Sequence, residues 1–398
     1  MSTIPVALPL LGEEEAQAAR RAILSGWVTQ GPEVAAFESE FAVFVGAAHA
    51  KAVSSCTAAL HMALLAVGVG PGDEVVTVSH SFVATSNAVR YCGALPVFVD
   101  IEPGTWNMDP SQLDRAITAR TKAILCVHQL GMPCDLSAIL AVARSKGLPV
   151  VEDAACAIGS EVNLGSGWEP IGKPHGDIAC FSFHPRKVIT TGDGGMLTTN
   201  SPEFDRQFAL LRQHGMSVSD LARHGSGKVV FESYPELGYN YRMTDIQAAV
   251  GREQLKRLPG IIARRRELAA RYQHGLSAIP GLRLPLEPQF ATSNWQSYCV
   301  GLPEDISQRD VLQALLDESI SARRGVMCVH REHPMGSAWR CPGDEPGGDP
   351  LCCAQLVESE KAQDHGIILP LYPQMADADQ ERVIVTLARI LKEKRPGC

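Results

Sequence analysis

Three stretches of this 398-residue chain carry residue types that suit one chemistry. Ala179 to Met196 joins an apolar and aromatic run ending at Phe183 to one lysine, Lys187, and then to a turn with Gly192, Gly194 and Gly195. A lysine that follows a strand end in a partly dry pocket loses its proton more easily and can attack a carbonyl to form a Schiff base. The glycines let the backbone come close to whatever sits beside it. Val150 to Ala155 is an apolar run closing on Glu152 and Asp153, so Asp153 also falls at a strand's carboxyl end, 34 positions (187 − 153) before Lys187. Ser54 to His61 reads as a strand-to-helix junction whose hydroxyls and backbone N–H groups suit a phosphate. An amine for an aldehyde, a carboxylate for a ring nitrogen and a phosphate cradle together describe pyridoxal 5′-phosphate (PLP).

The elements needed to hold these residues are also legible. Strand-like runs at Val75–Val78, Pro96–Val99, Ala123–Val127 and Pro149–Val151 alternate with helical spacing at Thr57–Val67, Ser81–Tyr91, Ser111–Ile117 and Leu136–Lys146. That alternation predicts βαβ units around a mainly parallel sheet, with ligands at the strands' carboxyl ends. Two helices, Glu13–Ser25 and Val34–Val45, precede it. Residues 214 to 236 lack periodicity and read as a long loop. A helix is expected from Thr244 to Leu258, where Pro259-Gly260 punctuates, and a second long helix from Ile261 to Leu276. The expected division is a large domain over 1–258 and a smaller α+β domain over 259–398. Arg340 to Pro350, rich in Gly and Pro, reads as an exposed insertion.

Several motifs in order resemble the DegT/DnrJ/EryC1/StrS family of sugar aminotransferases, of the PLP-dependent transferase fold type I. They are Gly26-Trp27-Val28-Thr29-Gln30-Gly31-Pro32, Ser54 to His61, Pro71-Gly72-Asp73-Glu74-Val75, Phe98-Val99-Asp100-Ile101, Glu152-Asp153-Ala154-Ala155, Phe181 to Lys187 and Gly238 to Asp245. The resemblance implies a homodimer with shared active sites. It implies transfer of an amino group from an amino acid, L-glutamate being the expected donor, to a keto sugar, expected to be a nucleotide-linked ketohexose in amino-sugar biosynthesis.

Lys187 and Asp153 are the expected catalytic pair, Asp153 keeping the pyridine nitrogen protonated. Ser182, Thr57 and the backbone at Cys56 are the expected phosphate ligands. By resemblance, Phe82 stacks on the cofactor and Asn240 reaches the phosphate of the neighbouring subunit. Cys56 and Cys156 stand where the family often has Gly and His or Gln, and a thiol at Cys156 is a weak donor toward the phenolic oxygen. Trp27, Thr29, His184, Arg324 and His330 are the candidate substrate contacts. The rivals are a PLP-dependent sugar dehydratase, against which Lys187 speaks because such relatives carry His there, and a PLP-binding regulator without turnover.

A formal net charge of −8 argues against a nucleic-acid or anionic-membrane surface, and 45% apolar with 20% charged residues describes a globular protein. No signal-type start and no membrane-spanning apolar run is evident, so a cytoplasmic location is expected. The twelve cysteines form no C-x-x-C pair. Cys328, His330, His333, Cys341, Cys352 and Cys353 have residue types that suit zinc but no standard spacing, and no metal is expected.

Overall fold

The structure is a computed structural model that describes residues 3–218, 223, 227–332, 339–342 and 356–394. Its strands are β1 (His49–Val53), β2 (Glu74–Val78), β3 (Leu95–Val99), β4 (Thr121–Val127), β5 (Val150–Asp153), β6 (Glu161–Asn163), β7 (Trp168–Pro170), β8 (Ile178–Ser182), β9 (Gly195–Thr199), β10 (Ala291–Thr292), β11 (Tyr298–Gly301), β12 (Arg323–Arg324) and β13 (Gly366–Leu369). Seven of them form one sheet in the order β1-β9-β8-β5-β4-β2-β3. Pairings from β3 through β8 are parallel, and β9 runs antiparallel to both β8 and β1. This is the mostly parallel α/β sheet that the alternation of strand-like and helical runs leads one to expect. β2 and β9 are buried at every position, as a sheet covered on both faces requires.

The crossover helices appear close to their expected bounds, at Cys56–Ala66, Val83–Tyr91 and Leu136–Lys146. Capping explains the starts of the first and third: Ser55 accepts the N–H of Ala58, and Asp135 that of Ala138. Phe82 stands at the cap position of Val83–Tyr91, two residues later than the sequence predicts.

Two expectations fail. The two helices expected on either side of Pro259-Gly260 are one, running unbroken from Asp245 to Leu276 with Pro259 inside it. Pro259 and Gly260 lie on the exposed side, while Leu258, Ile261 and Ile262 are buried, so packing on the inner face outweighs the lost N–H. This helix joins two cores, since Leu258 to Ile262 belong to the one around the sheet and Leu268 to Leu276 to a second. That second core also gathers Tyr298, Val311, Leu315, Ile367 and Leu387 of the C-terminal part. Arg340 is likewise not exposed: its guanidinium is buried on Glu74, with Nη2 to Oε2 at 2.6 Å. The rest of that expected insertion, 343–350, lies outside the described residues. No helix among the described residues is long and apolar enough to cross a membrane.

Candidate active site

Register places the phosphate end. Val53 pairs with Gly195, and Gly195 with Ser182, so the junction Ser54-Ser55, the start of β9 and the end of β8 share one row at the sheet's carboxyl edge. The first-turn N–H groups of Cys56 and Thr57 have no acceptor within their helix and form its positive end. A side-chain carbon on Gly195 would stand 2.5 Å from the Ser55 carbonyl and 2.7 Å from the Cys56 nitrogen, so this seat admits only glycine. The arrangement is a cradle for an anion.

Lys187 leaves the turn that follows β8, where its N–H donates to the His184 carbonyl at 2.8 Å. Its Nζ donates to Cys156 Sγ at 3.0 Å. Burial lowers the lysine's pKa, but the sulfur of Cys156, then Cys56 and Asp153, outweigh it, so the net shift is upward. This corrects the sequence expectation of an easily deprotonated amine in the free site. The cause is proximity to negatively polarised groups, which sequence spacing does not reveal.

Asp153 closes β5 and is 5% exposed. Its carboxylate accepts Thr85 Oγ1–H at 2.8 Å and the Ala155 N–H at 3.1 Å. Thr85 is in turn 2.8 Å from Ser81 Oγ. Burial raises the pKa of Asp153, against the lowering effect of Thr85, Ala155 and Lys187. The carboxylate has no ion-pair partner among the described residues, and a protonated ring nitrogen would supply one. Beneath it, His128 accepts the Cys134 N–H at Nδ1 (3.1 Å) and therefore donates from Nε2 to Glu152 at 3.0 Å. Glu152 also takes the Gly176 N–H at 2.7 Å, which anchors the strand end that carries Asp153.

The other expected site residues divide into two groups. Phe82 is 64% exposed and directly follows Ser81 of the Ser81–Thr85–Asp153 relay. Ser182 Oγ accepts the His184 N–H at 3.5 Å, and His184 Nδ1 accepts that of Arg186 at 3.2 Å, which shapes the turn into Lys187. Asn240 is exposed and held by a backbone bridge to Gln213, while the rings of its chain neighbours Tyr239 and Tyr241 stack on each other and both lie against His61.

Trp27 Nε1 donates to the Gln30 carbonyl within its own turn (3.1 Å), and the Thr29 carbonyl accepts the Asp245 N–H at the start of the long helix (3.1 Å). Arg324 is exposed on β12 and faces Glu332 at 3.5 Å, with no contact to the lysine turn among those described. His330 spends both ring nitrogens inside the protein, Nδ1 on Ser79 Oγ at 2.6 Å and Nε2 on Glu360 at 3.0 Å. Cys328 donates to the Ser359 carbonyl at 3.1 Å, and no metal-holding group of His, Cys, Asp or Glu occurs among the described residues. His333, Cys352 and Cys353 lie outside them.

Sequence reading missed Thr85, Asn294 and Gln296. Thr85 had a local signal, four residues after Ser81 on one helix face. Asn294 and Gln296 had none, for they meet the Cys156 and Arg186 carbonyls (2.8 and 2.6 Å) across more than a hundred residues.

Comparison with known proteins places this geometry. Residues 9–388 match the family model described as the DegT/DnrJ/EryC1/StrS aminotransferase family. The spore coat polysaccharide biosynthesis protein SpsC of Bacillus subtilis (strain 168) is 40% identical over 393 residues, 98% of this chain and 97% of that protein. Among solved structures, the aminotransferase TlmJ of Streptoalloteichus hindustanus superposes with a TM-score of 0.86 at 35% identity, covering 98% of this chain and 99% of that one. Spr1654 of Streptococcus pneumoniae, solved in a PLP form and a PMP form, gives TM-scores of 0.87 and 0.88 at 26% identity. The PLP form covers 99% of this chain and 100% of that one, and the PMP form 98% and 100%.

Proposed function

The chain belongs to the DegT/DnrJ/EryC1/StrS aminotransferase family, and from that premise we propose that it moves an amino group from L-glutamate to a nucleotide-linked keto sugar with PLP as cofactor. The observation that carries the reading is the convergence of three complementary groups on one sheet edge: the Lys187 amine, the Asp153 carboxylate and the cradle at Ser55 to Thr57. They fit PLP in kind, since the buried carboxylate has no ion-pair partner among the described residues and the close seat at Gly195 leaves a helix end open to an anion. The PLP and PMP forms of Spr1654 and the role of SpsC in spore coat polysaccharide biosynthesis support the same cofactor and a sugar acceptor.

When bound, PLP supplies an aldehyde for the amine and a ring that draws electrons from the bond to be broken. Lys187 would hold that aldehyde and, once displaced by the donor, take and return the proton at the donor's α-carbon. Asp153 would keep a proton on the ring nitrogen, with Thr85 and Ala155 fixing its oxygens. Cys56, Thr57 and Ser182 would hold the phosphate. Phe82, exposed at the edge, would cover the ring's face, and Cys156 would sit beside the lysine end. Trp27, Thr29 and His184 remain proposed substrate contacts. For Arg324 and His330 the protein partners leave a supporting part.

We also propose a homodimer in which Asn240 serves the neighbouring subunit's phosphate. Support comes from the irregular segment before it, where Val229, Phe231 and Leu237 are 84, 90 and 80% exposed. Apolar side chains displayed together this openly are what a partner surface covers. The test of the acceptor is to mix the pyridoxamine phosphate form with a panel of free and nucleotide-linked keto sugars. Return of the aldehyde band with a nucleotide-linked ketone and not with the free sugar is the expected result.

A further inference from the structure

Lys187 Nζ meets one side chain at hydrogen-bond distance among the described residues, the sulfur of Cys156 at 3.0 Å. That sulfur does not sit there by chance of rotamer alone. The Cys156 carbonyl accepts Asn294 Nδ2 at 2.8 Å, and the same amide nitrogen holds the Ile158 carbonyl at 2.8 Å. Two residues on, Gln296 Nε2 holds the Arg186 carbonyl at 2.6 Å, and its own N–H donates to Asn294 Oδ1 at 2.8 Å. One segment of the C-terminal part therefore grips both the cysteine's turn and the lysine's turn, and fixes the spacing between them.

The titratable groups around the amine are Cys156 and Asp153 after β5, Cys56 at the start of its helix and His184 on the lysine's own loop. Asp153 is engaged by Thr85 and Ala155, and burial pushes the Cys56 thiol well up, toward its neutral form. Cys156 is the group left in direct contact.

We propose that Cys156 is a positioning residue for Lys187: its sulfur docks the ammonium in the resting site and so sets the pH at which the lysine becomes free to take up an aldehyde. An ammonium held by a polarisable sulfur keeps its proton to higher pH, and an amine attacks a carbonyl only after losing it. The inference rests on the reading of Lys187 as the aldehyde-binding residue, so the test separates the two. Full-length protein, freed of any aldehyde by dialysis against hydroxylamine, is labelled with acetic anhydride across a pH series, and Lys187 modification is read by peptide mass spectrometry. Wild type is compared with Cys156→Ala and Cys156→Ser, each first checked for an unchanged melting temperature.

The alanine variant is expected to label several-fold faster at about pH 8, with its titration midpoint displaced downward. Serine, which keeps a hydrogen-bonding atom, is expected to recover part of the difference. Capture of pyridoxal phosphate is followed in parallel by its visible band. Displaced midpoints without capture by any of the three proteins would uphold the docking role while removing the functional reading. Coincident midpoints in proteins that all capture the cofactor would overturn the docking role.

Discussion

Asp153 is a buried carboxylate whose two hydrogen-bond donors are a neutral hydroxyl and a backbone amide. Holding a charge there is costly unless a cation arrives, and that cost is what ties the residue to a protonated ring. Asp153→Asn is therefore expected to retain bound cofactor and to slow both half-reactions by about a hundredfold, read by stopped-flow absorbance. An unchanged rate would move the role elsewhere. The candidate pair Lys187 and Asp153 was legible in the sequence because Asp153 closes an apolar run and Lys187 follows one, and a parallel sheet brings such ends to one edge. The upward push on Lys187 was not legible, for its largest source is Cys156, which approaches only after the strands have paired.

Elements succeed or fail here by what they can pack against. The helix from Asp245 continues past Pro259 because both cores use its inner face, a long-range fact that outweighs a local breaker. We propose that the division between the large and small domains still falls near 258/259, spanned by this helix. β9 escaped the sequence reading: it begins inside a glycine-rich turn, and its first glycine lies against the Ser55-Cys56 backbone. Gly195→Ala is expected to cost about 1–3 kcal/mol and to lose affinity for phosphate-bearing cofactor, measured by thermal melting and by titration.

The exposed insertion expected at Arg340 instead supplies a clasp on β2. Burial pushes the Glu74 carboxyl up, but Arg340, Thr118 and Arg120 outweigh it and hold its pKa at about 2, below the ordinary 4.5. A depressed carboxylate stabilises above its unfolded value and loses that contribution as pH falls. Arg340→Ala is thus expected to cost about 3–5 kcal/mol near neutrality. The difference from wild type should shrink as pH drops from about 4.5 toward 2, by chemical denaturation. A difference that stays constant over that window would count against the ion pair.

For the whole molecule, the order of motifs announced the family, and the fold followed it over nearly the full chain. What no local pattern carried was the clasp of the C-terminal part onto the sheet through Ser79, Asp100 and Glu74. Assembly is tested by complementation. Asn240→Ala and Lys187→Ala subunits, each inactive alone, should regain activity on mixing, because a mixed dimer holds one site with both residues intact. Confirmed subunit exchange without recovery would place Asn240 outside the shared site. The central claim, that Lys187 carries an aldehyde cofactor through an amino transfer, is met most directly by absorbance. Wild type reconstituted with pyridoxal phosphate should show a visible band that shifts on adding glutamate, and Lys187→Ala should neither form the lysine-linked band nor turn over. A Lys187→Ala protein that keeps the band and transfers the amino group at a near wild-type rate would contradict the account.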